Sequence, residues 1–195
     1  AAVSASIRRD TAASVVTHGG YIKRMPVAEY KAQHRGGMGI TAHKAKDEDF
    51  VERIFTSNTH ERIMFFTNRG KVFTLKAYEI PEATRNARGR AAGNLLQLEQ
   101  GEKIQAFLQM PEDREGKFLM LATKKGLIKK TPLEEYDSIK RNGKIAIKFN
   151  DDDELIGAVI TTGNDELLVA SSQGMSIHFN EQDVRPVGRT AMGVK

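Results

Sequence analysis

The chain repeats itself at an interval of about fifty residues, and that interval narrows its possible folds more than any other feature. Four segments share one order of residue types: an apolar run, a polar turn containing Gly, and a second run with a basic end. They are VVTHGGYIKR (15–24), FFTNRGKVFT (65–74), LATKKGLIKK (121–130) and VASSQGMSIH (169–178). Their glycines are Gly20, Gly70, Gly126 and Gly174, spaced by 50, 56 and 48 residues. β-Branched or aromatic runs flank each short turn, and Gly can take the positive φ such turns need. Each segment is therefore predicted to be a β-hairpin.

A second block follows each hairpin after about twenty residues: RGGMGI (35–40), RAAGNL (90–95), RNGKIAI (141–147) and RTAMGV (189–194). Each opens on Arg and carries Gly within the next four positions. A further apolar strand precedes the next hairpin, as FVERIFTS, KIQAFLQM and ELIGAVITT. Antiparallel strands at this period predict an all-β, propeller-like array of four-stranded antiparallel blades. About four repeats are expected, at roughly 12–50, 51–103, 104–154 and 155–195, in a single domain 1–195 whose last repeat reads as cut short. A two-sheet β-sandwich competes, but four recurrences of a double motif weigh against it. The absence of Trp removes the WD signature.

The 195 residues suffice for a real core, since a chain of this size hides roughly 70% of its unfolded surface. Zero Cys excludes a disulfide scaffold, a Cys-ligated zinc site and a Cys nucleophile. No run of apolar residues is long enough for a transmembrane helix, and the opening AAVSASIRRDTAASVV lacks the order of a signal peptide. Asp151-Asp152-Asp153-Glu154 lacks the Gly and distal Glu of an EF-hand loop and reads as a solvated turn. His18, His34, His43, His60 and His178 form no His-Glu-x-x-His pair, and Met38, Met64, Met120 and Met175 read as packing residues. No catalytic residue and no metal ligand is expected.

The net charge of +5 is uneven. Residues 1–100 carry 16 basic and 10 acidic side chains, whereas 101–195 carry 14 and 15. The cations recur with the repeat. Lys23, Arg24, Lys71, Lys129 and Lys130 stand at hairpin ends, and Arg35, Arg88, Arg90, Arg141, Lys144 and Arg189 stand in or beside the second blocks. Sequence-independent contact with duplex DNA needs such cations spaced along a surface. Gly36, Gly37 and Gly39 could let backbone amides approach a phosphate, or could simply make a tight turn. Lys at a hairpin end has a second use, since it blunts an edge strand. Without a base-reading helix or zinc finger, sequence preference should be weak. With no Trp and Phe inside strand runs, single-strand stacking is a poor fit.

Gln33-His34-Arg35-Gly36-Gly37-Met38-Gly39 resembles the box Gln-Arg-Arg-Gly-Gly-Lys-Gly of the gyrase A family. HGGYIKRMPVAEYKAQ, FVERIFTSNTHERIMFFTNRGKVF, YEIPEATRNARGR, DELIG and DVRPVGRTAMGV look like the C-terminal domain of that DNA gyrase family, so the resemblance runs from about Val15 onward. It implies a β-pinwheel whose blades exchange a strand, and a basic outer rim that binds duplex DNA and wraps it around itself, bending it in support of negative supercoiling. It carries over DNA contact to Gln33, His34, Arg35, Gly36, Gly37, Met38 and Gly39. His34 and Met38 replace commonly basic residues, leaving Arg35 as the box's obligatory charge. The resemblance also implies the remainder of gyrase A, together with gyrase B, as partners in an A2B2 holoenzyme. It further implies a bacterial cytoplasmic and nucleoid setting, a monomeric domain and no membrane. ATP and Mg²⁺ would belong to other parts of that enzyme, with no cofactor here. The alternatives are a propeller-like protein-interaction platform and the equivalent domain of a decatenating topoisomerase IV.

Overall fold

The computed structural model describes residues 7–27 and 49–195. Gln33, His34, Arg35, Gly36, Gly37, Met38 and Gly39 lie outside the described residues, as does His43. The described strands are β1 (Thr11–Thr17), β2 (Tyr21–Pro26), β3 (Val51–Asn58), β4 (Arg62–Thr67), β5 (Lys71–Lys76), β6 (Arg90–Ala91) and β7 (Ile104–Gln109). They continue with β8 (Phe118–Thr123), β9 (Ile128–Pro132), β10 (Lys144–Ile145), β11 (Leu155–Thr161), β12 (Glu166–Ala170) and β13 (Ser176–Asn180). The protein is all-β and antiparallel in its strand ladders.

The four hairpins appear where expected, as β1–β2, β4–β5, β8–β9 and β12–β13. Gly20, Gly70, Gly126 and Gly174 sit at φ of +83°, +77°, +87° and +81°. Each donates its N–H to the carbonyl three residues back, at 3.0 to 3.1 Å. A side chain there would force the left-handed region on an ordinary residue.

Contacts divide the chain into two compact units where the sequence suggested one domain: residues 1–63 with 74–101, and 64–73 with 102–195. The division falls inside β4 and β5. The first unit holds the sheet β3-β1-β2-β6. β1 is buried from Ala12 to Thr17 without alternation, as a strand covered on both faces must be. The second unit holds residues 64–73 of the β4–β5 hairpin with β7 and β10, then β11-β8-β9 and the pair β12-β13. Its core gathers Met64, Phe66, Val72, Leu119, Leu121, Leu133, Tyr136, Ile147 and Leu155, all at most 2% exposed.

The sheets cut the sequence differently from its repeats. The apolar strand after each hairpin turns back onto that hairpin: β3 on β1, β7 on β4, β11 on β8. Residues 51–58 thus close the first sheet rather than open a second repeat. The fourth strand comes from one repeat later, β6 joining β2 and β10 joining β5. The third sheet receives Val194 in the same manner, through an antiparallel bridge to Ile128. This is the exchange of strands that the resemblance implied.

A polar latch recurs at the hairpins. Thr67 Oγ1 donates to Glu102 at 2.7 Å, and Thr123 Oγ1 donates to Asp153 at 2.7 Å. Each Thr also accepts the N–H of the residue after the turn Gly, Lys71 and Leu127 respectively. Asp153 is 5% exposed and accepts the N–H groups of Lys125 and Glu154 as well. Within the acidic run 151–154, one carboxylate is therefore a buried anchor rather than part of a solvated turn. Met64 and Met120 are buried as expected, but Met175 is 73% exposed.

Candidate nucleic-acid interface

The close approaches of three glycines set the register of the exchanged segments. A methyl at Gly89 would lie 2.6 Å from the Ile22 carbonyl oxygen, and one at Gly193 would lie 2.8 Å from that of Ile128. Gly143 meets Phe73 in the same place on the second sheet, at 2.5 Å. Gly89, Gly143 and Gly193 are thus equivalent, each just before the residue that enters the ladder: Arg90, Lys144 and Val194. The blocks read from sequence as opening on Arg90 and Arg141 are shifted. The repeating unit is Arg85-Asn86-Ala87-Arg88-Gly89, Ile139-Lys140-Arg141-Asn142-Gly143 and Arg189-Thr190-Ala191-Met192-Gly193.

Four predicted DNA ligands are corrected by their surroundings. Lys23 is 1% exposed, and its ammonium donates to the carbonyls of Thr84, Arg85 and Ala87 at 3.2, 2.6 and 2.8 Å. Lys129, also 1% exposed, donates to the carbonyls of Ala146, Arg189 and Ala191. Burial lowers its pKa to about 8, with the Glu135 carboxylate opposing and Arg189 reinforcing the shift. Lys130 is paired with the buried Glu181 at 3.0 Å and lies over the Phe118 ring. Arg24 is largely buried, donating to the Ile80 carbonyl at 3.2 Å and pairing with Glu82 at 3.3 Å. A charge held inside the fold by such partners cannot also lie against a phosphate. Arg189 is only half-buried, its guanidinium on the Ile145 carbonyl and its N–H on Glu135.

The remaining predicted cations face solvent. Arg88, Arg90, Arg141 and Lys144 are exposed, and Lys71 is half-buried. In the first unit Arg90 sits on β6, and Arg88 lies over the Tyr21 ring at 3.6 Å, a cation–π contact that holds its direction. In the second unit Lys144 on β10 faces Val72, beside the Ile145–Lys71 pair. Exposed Arg69, Lys140 and Lys148 belong to the same neighbourhoods and are absent from the sequence-based set.

A signal for Lys140 and Lys148 is present in the sequence. Residues 30–46, 83–98, 138–150 and 184–195 contain no acidic residue, yet carry four, three, four and three cations respectively. The last three windows hold the exchange segments. Runs without acid also cover two of the hairpins, 62–78 and 116–133, with four and five cations, so they mark basic stretches generally and not the exchange segments alone. Among the described residues no group of three His, Asp or Glu is placed to hold a metal ion.

The family model of the DNA gyrase C-terminal domain, a β-propeller, matches residues 15–58, 61–109, 117–162 and 165–195. The chain belongs to the DNA gyrase C-terminal domain family. The first three matched stretches end within one residue of the ends of β3, β7 and β11, so they follow the sheets. The gyrase A protein of Clostridium acetobutylicum is 50% identical over 97% of this chain and 23% of its own length. The gyrase A protein of Escherichia coli is 44% identical over 97% of this chain and 22% of its own. This gyrase-family chain therefore spans less than a quarter of those relatives. Among solved structures, a DNA topoisomerase IV C-terminal domain superposes with a TM-score of 0.80 at 25% identity, over 97% of this chain and 57% of that one. A DNA gyrase A C-terminal domain gives 0.73 at 27% identity, over 95% and 59%.

Proposed function

We propose that the chain binds duplex DNA without sequence preference and wraps it, bending the duplex along its strand-exchange segments. On this reading it serves a bacterial, cytoplasmic type II topoisomerase of the gyrase kind. The single observation that carries the reading is the exposure of Arg88, Arg90, Arg141 and Lys144 on the segments that cross between repeats. Exposed Arg88, Arg90, Arg141 and Lys144 neutralise phosphates, with Arg69, Lys71, Lys140 and Lys148 beside them. The box residues 33–39 fall in the first window and extend the series. Bending 20–30 base pairs costs on the order of 1–6 kcal/mol, which phosphate contacts from several segments offset. In the whole enzyme this chain acts beside the rest of gyrase A and gyrase B, in an A2B2 assembly that supplies cleavage and ATP hydrolysis.

A second reading, the corresponding domain of a decatenating topoisomerase IV, draws on the TM-score of 0.80. Identity of 50% to a gyrase A protein favours the first. Binding to a non-specific duplex across a salt series tests both. Log affinity should fall linearly with log salt, by about 0.9 per phosphate neutralised. Replacing Arg88, Arg90 and Lys144 together by Ala should reduce the slope by about 2.7. Affinity indifferent to salt would refute DNA binding.

A further inference from the structure

Among the described residues, the two most buried lysines occupy one structural position. Lys23 and Lys129 each stand three residues after a hairpin glycine, Gly20 and Gly126. Each points its ammonium into the segment exchanged from the next repeat, and the acceptors correspond one to one. Arg85 and Ala87 offer their carbonyls to Lys23, and Arg189 and Ala191 offer theirs to Lys129. A third carbonyl completes each set, from Thr84 in the first and Ala146 in the second. An ammonium has three N–H donors and no acceptor, so three converging carbonyls match it fully. The intervening sheet solves the same problem with an apolar plug: Phe73, three residues after Gly70, lies against Gly143. In the fourth hairpin the corresponding Ile177 is 58% exposed. The position is buried in the three sheets that receive an exchanged segment.

From this arrangement we infer that Lys23 and Lys129 are positioning residues for DNA binding: they fasten the exchanged segment from within so that its outward cations keep a fixed direction. The inference rests on the DNA-binding reading above. Lys23 holds the carbonyls of Arg85 and Ala87, the residues that flank Asn86 and lead directly into Arg88 and Arg90. Arg88 is then laid over Tyr21, on the same hairpin that carries Lys23. Side chain, carbonyls and aromatic ring form one closed bracket around the segment. Releasing the ammonium would let residues 84–90 move, and the cations they carry would lose their common orientation.

The test compares the chain with its Lys23→Met variant, which keeps the length of the stem and removes the donors. Two readouts are taken on folded protein: amide hydrogen exchange of residues 83–91, and the salt slope of binding to a non-specific duplex. Positioning predicts faster exchange in 83–91 and a slope smaller by about 1.8, because Arg88 and Arg90 are affected together at about 0.9 each. A slope reduced by only about 0.9 with unchanged exchange would make Lys23 a direct phosphate contact and overturn the inference. Faster exchange with unchanged affinity and slope would make it purely structural and overturn it equally. Absence of salt-dependent binding by the unaltered chain would instead refute the DNA reading itself. If Lys23→Met does not fold, the Lys23 ammonium resonance of the unaltered chain decides. Positioning predicts that it is slow to exchange with water and unmoved on adding duplex, whereas a large shift on binding would contradict it.

Discussion

Gly89→Ala probes the strand exchange where it is tightest. Gly89 has φ of +89°, and a methyl there would meet the Ile22 carbonyl oxygen at 2.6 Å and Lys23 Cβ at 3.0 Å. Neither neighbour can retreat cheaply. Ile22 is paired in register with Arg90, and the Lys23 side chain is held by three carbonyls. The left-handed conformation alone costs an L-residue about 1–2 kcal/mol, and forcing extra volume into a packed site adds about 1–3 kcal/mol. The expected destabilisation is thus about 2–5 kcal/mol. Gly20→Ala supplies the control, since Gly20 has φ of +83° but nothing within 4 Å of the added methyl. It should lose only the conformational part. Thermal unfolding followed by circular dichroism separates them, at about 2–4 °C per kcal/mol for a chain of this size. Equal losses in the two variants would refute the claim that the exchanged segment is pressed against β2.

Three further outcomes follow from buried polar pairs. Burial would raise the Asp153 carboxyl, but hydrogen bonds from Thr123 and the N–H groups of Lys125 and Glu154 outweigh it and hold the pKa below its ordinary value. A lowered folded pKa contributes stability that is present at neutral pH and lost as pH falls through the folded value. Asp153→Asn should therefore flatten the acid limb of a stability-against-pH curve, and an unchanged limb would contradict the latch. Glu181→Ala strands the Lys130 ammonium, 4% exposed, and should cost about 3–5 kcal/mol in urea unfolding; a loss below about 1 kcal/mol would show the pair to be dispensable. Thr67→Val keeps the shape of the second hairpin but leaves Glu102 without its 2.7 Å donor, and should cost about 1–3 kcal/mol by the same measurement.

The hairpins are legible in the sequence because two local signals agree at each: strand-forming runs and a glycine where φ has to be positive. The exchanged strands are harder. Arg90–Ala91 and Lys144–Ile145 are two residues long and carry no periodicity, so nothing local fixes their register. Sequence alignment then settles on the wrong Arg, because Arg85, Arg88 and Arg90 crowd one segment and only the approach of Gly89 to Ile22 distinguishes them. Lys23 and Lys129 mislead for a different reason. A lysine in a basic hairpin end reads as solvent-facing, and its burial depends on carbonyls about sixty residues away. Arg88, Arg90, Arg141 and Lys144 are correctly placed at the surface by charge alone. Lys140 and Lys148 fall just outside the block 141–147 and Arg69 within a hairpin turn, so a reading confined to hairpin ends and blocks passes them by.

The most direct test of DNA wrapping by these segments is the linking number of a nicked circle sealed in the presence of the chain. A wrap of fixed hand along the exchange segments predicts a shift of one sign that grows with the amount of chain bound and disappears at high salt. It should be largely lost when Arg88, Arg90 and Lys144 are replaced together by Ala in a chain that still folds. Tight, salt-dependent binding with no change in linking number would contradict it.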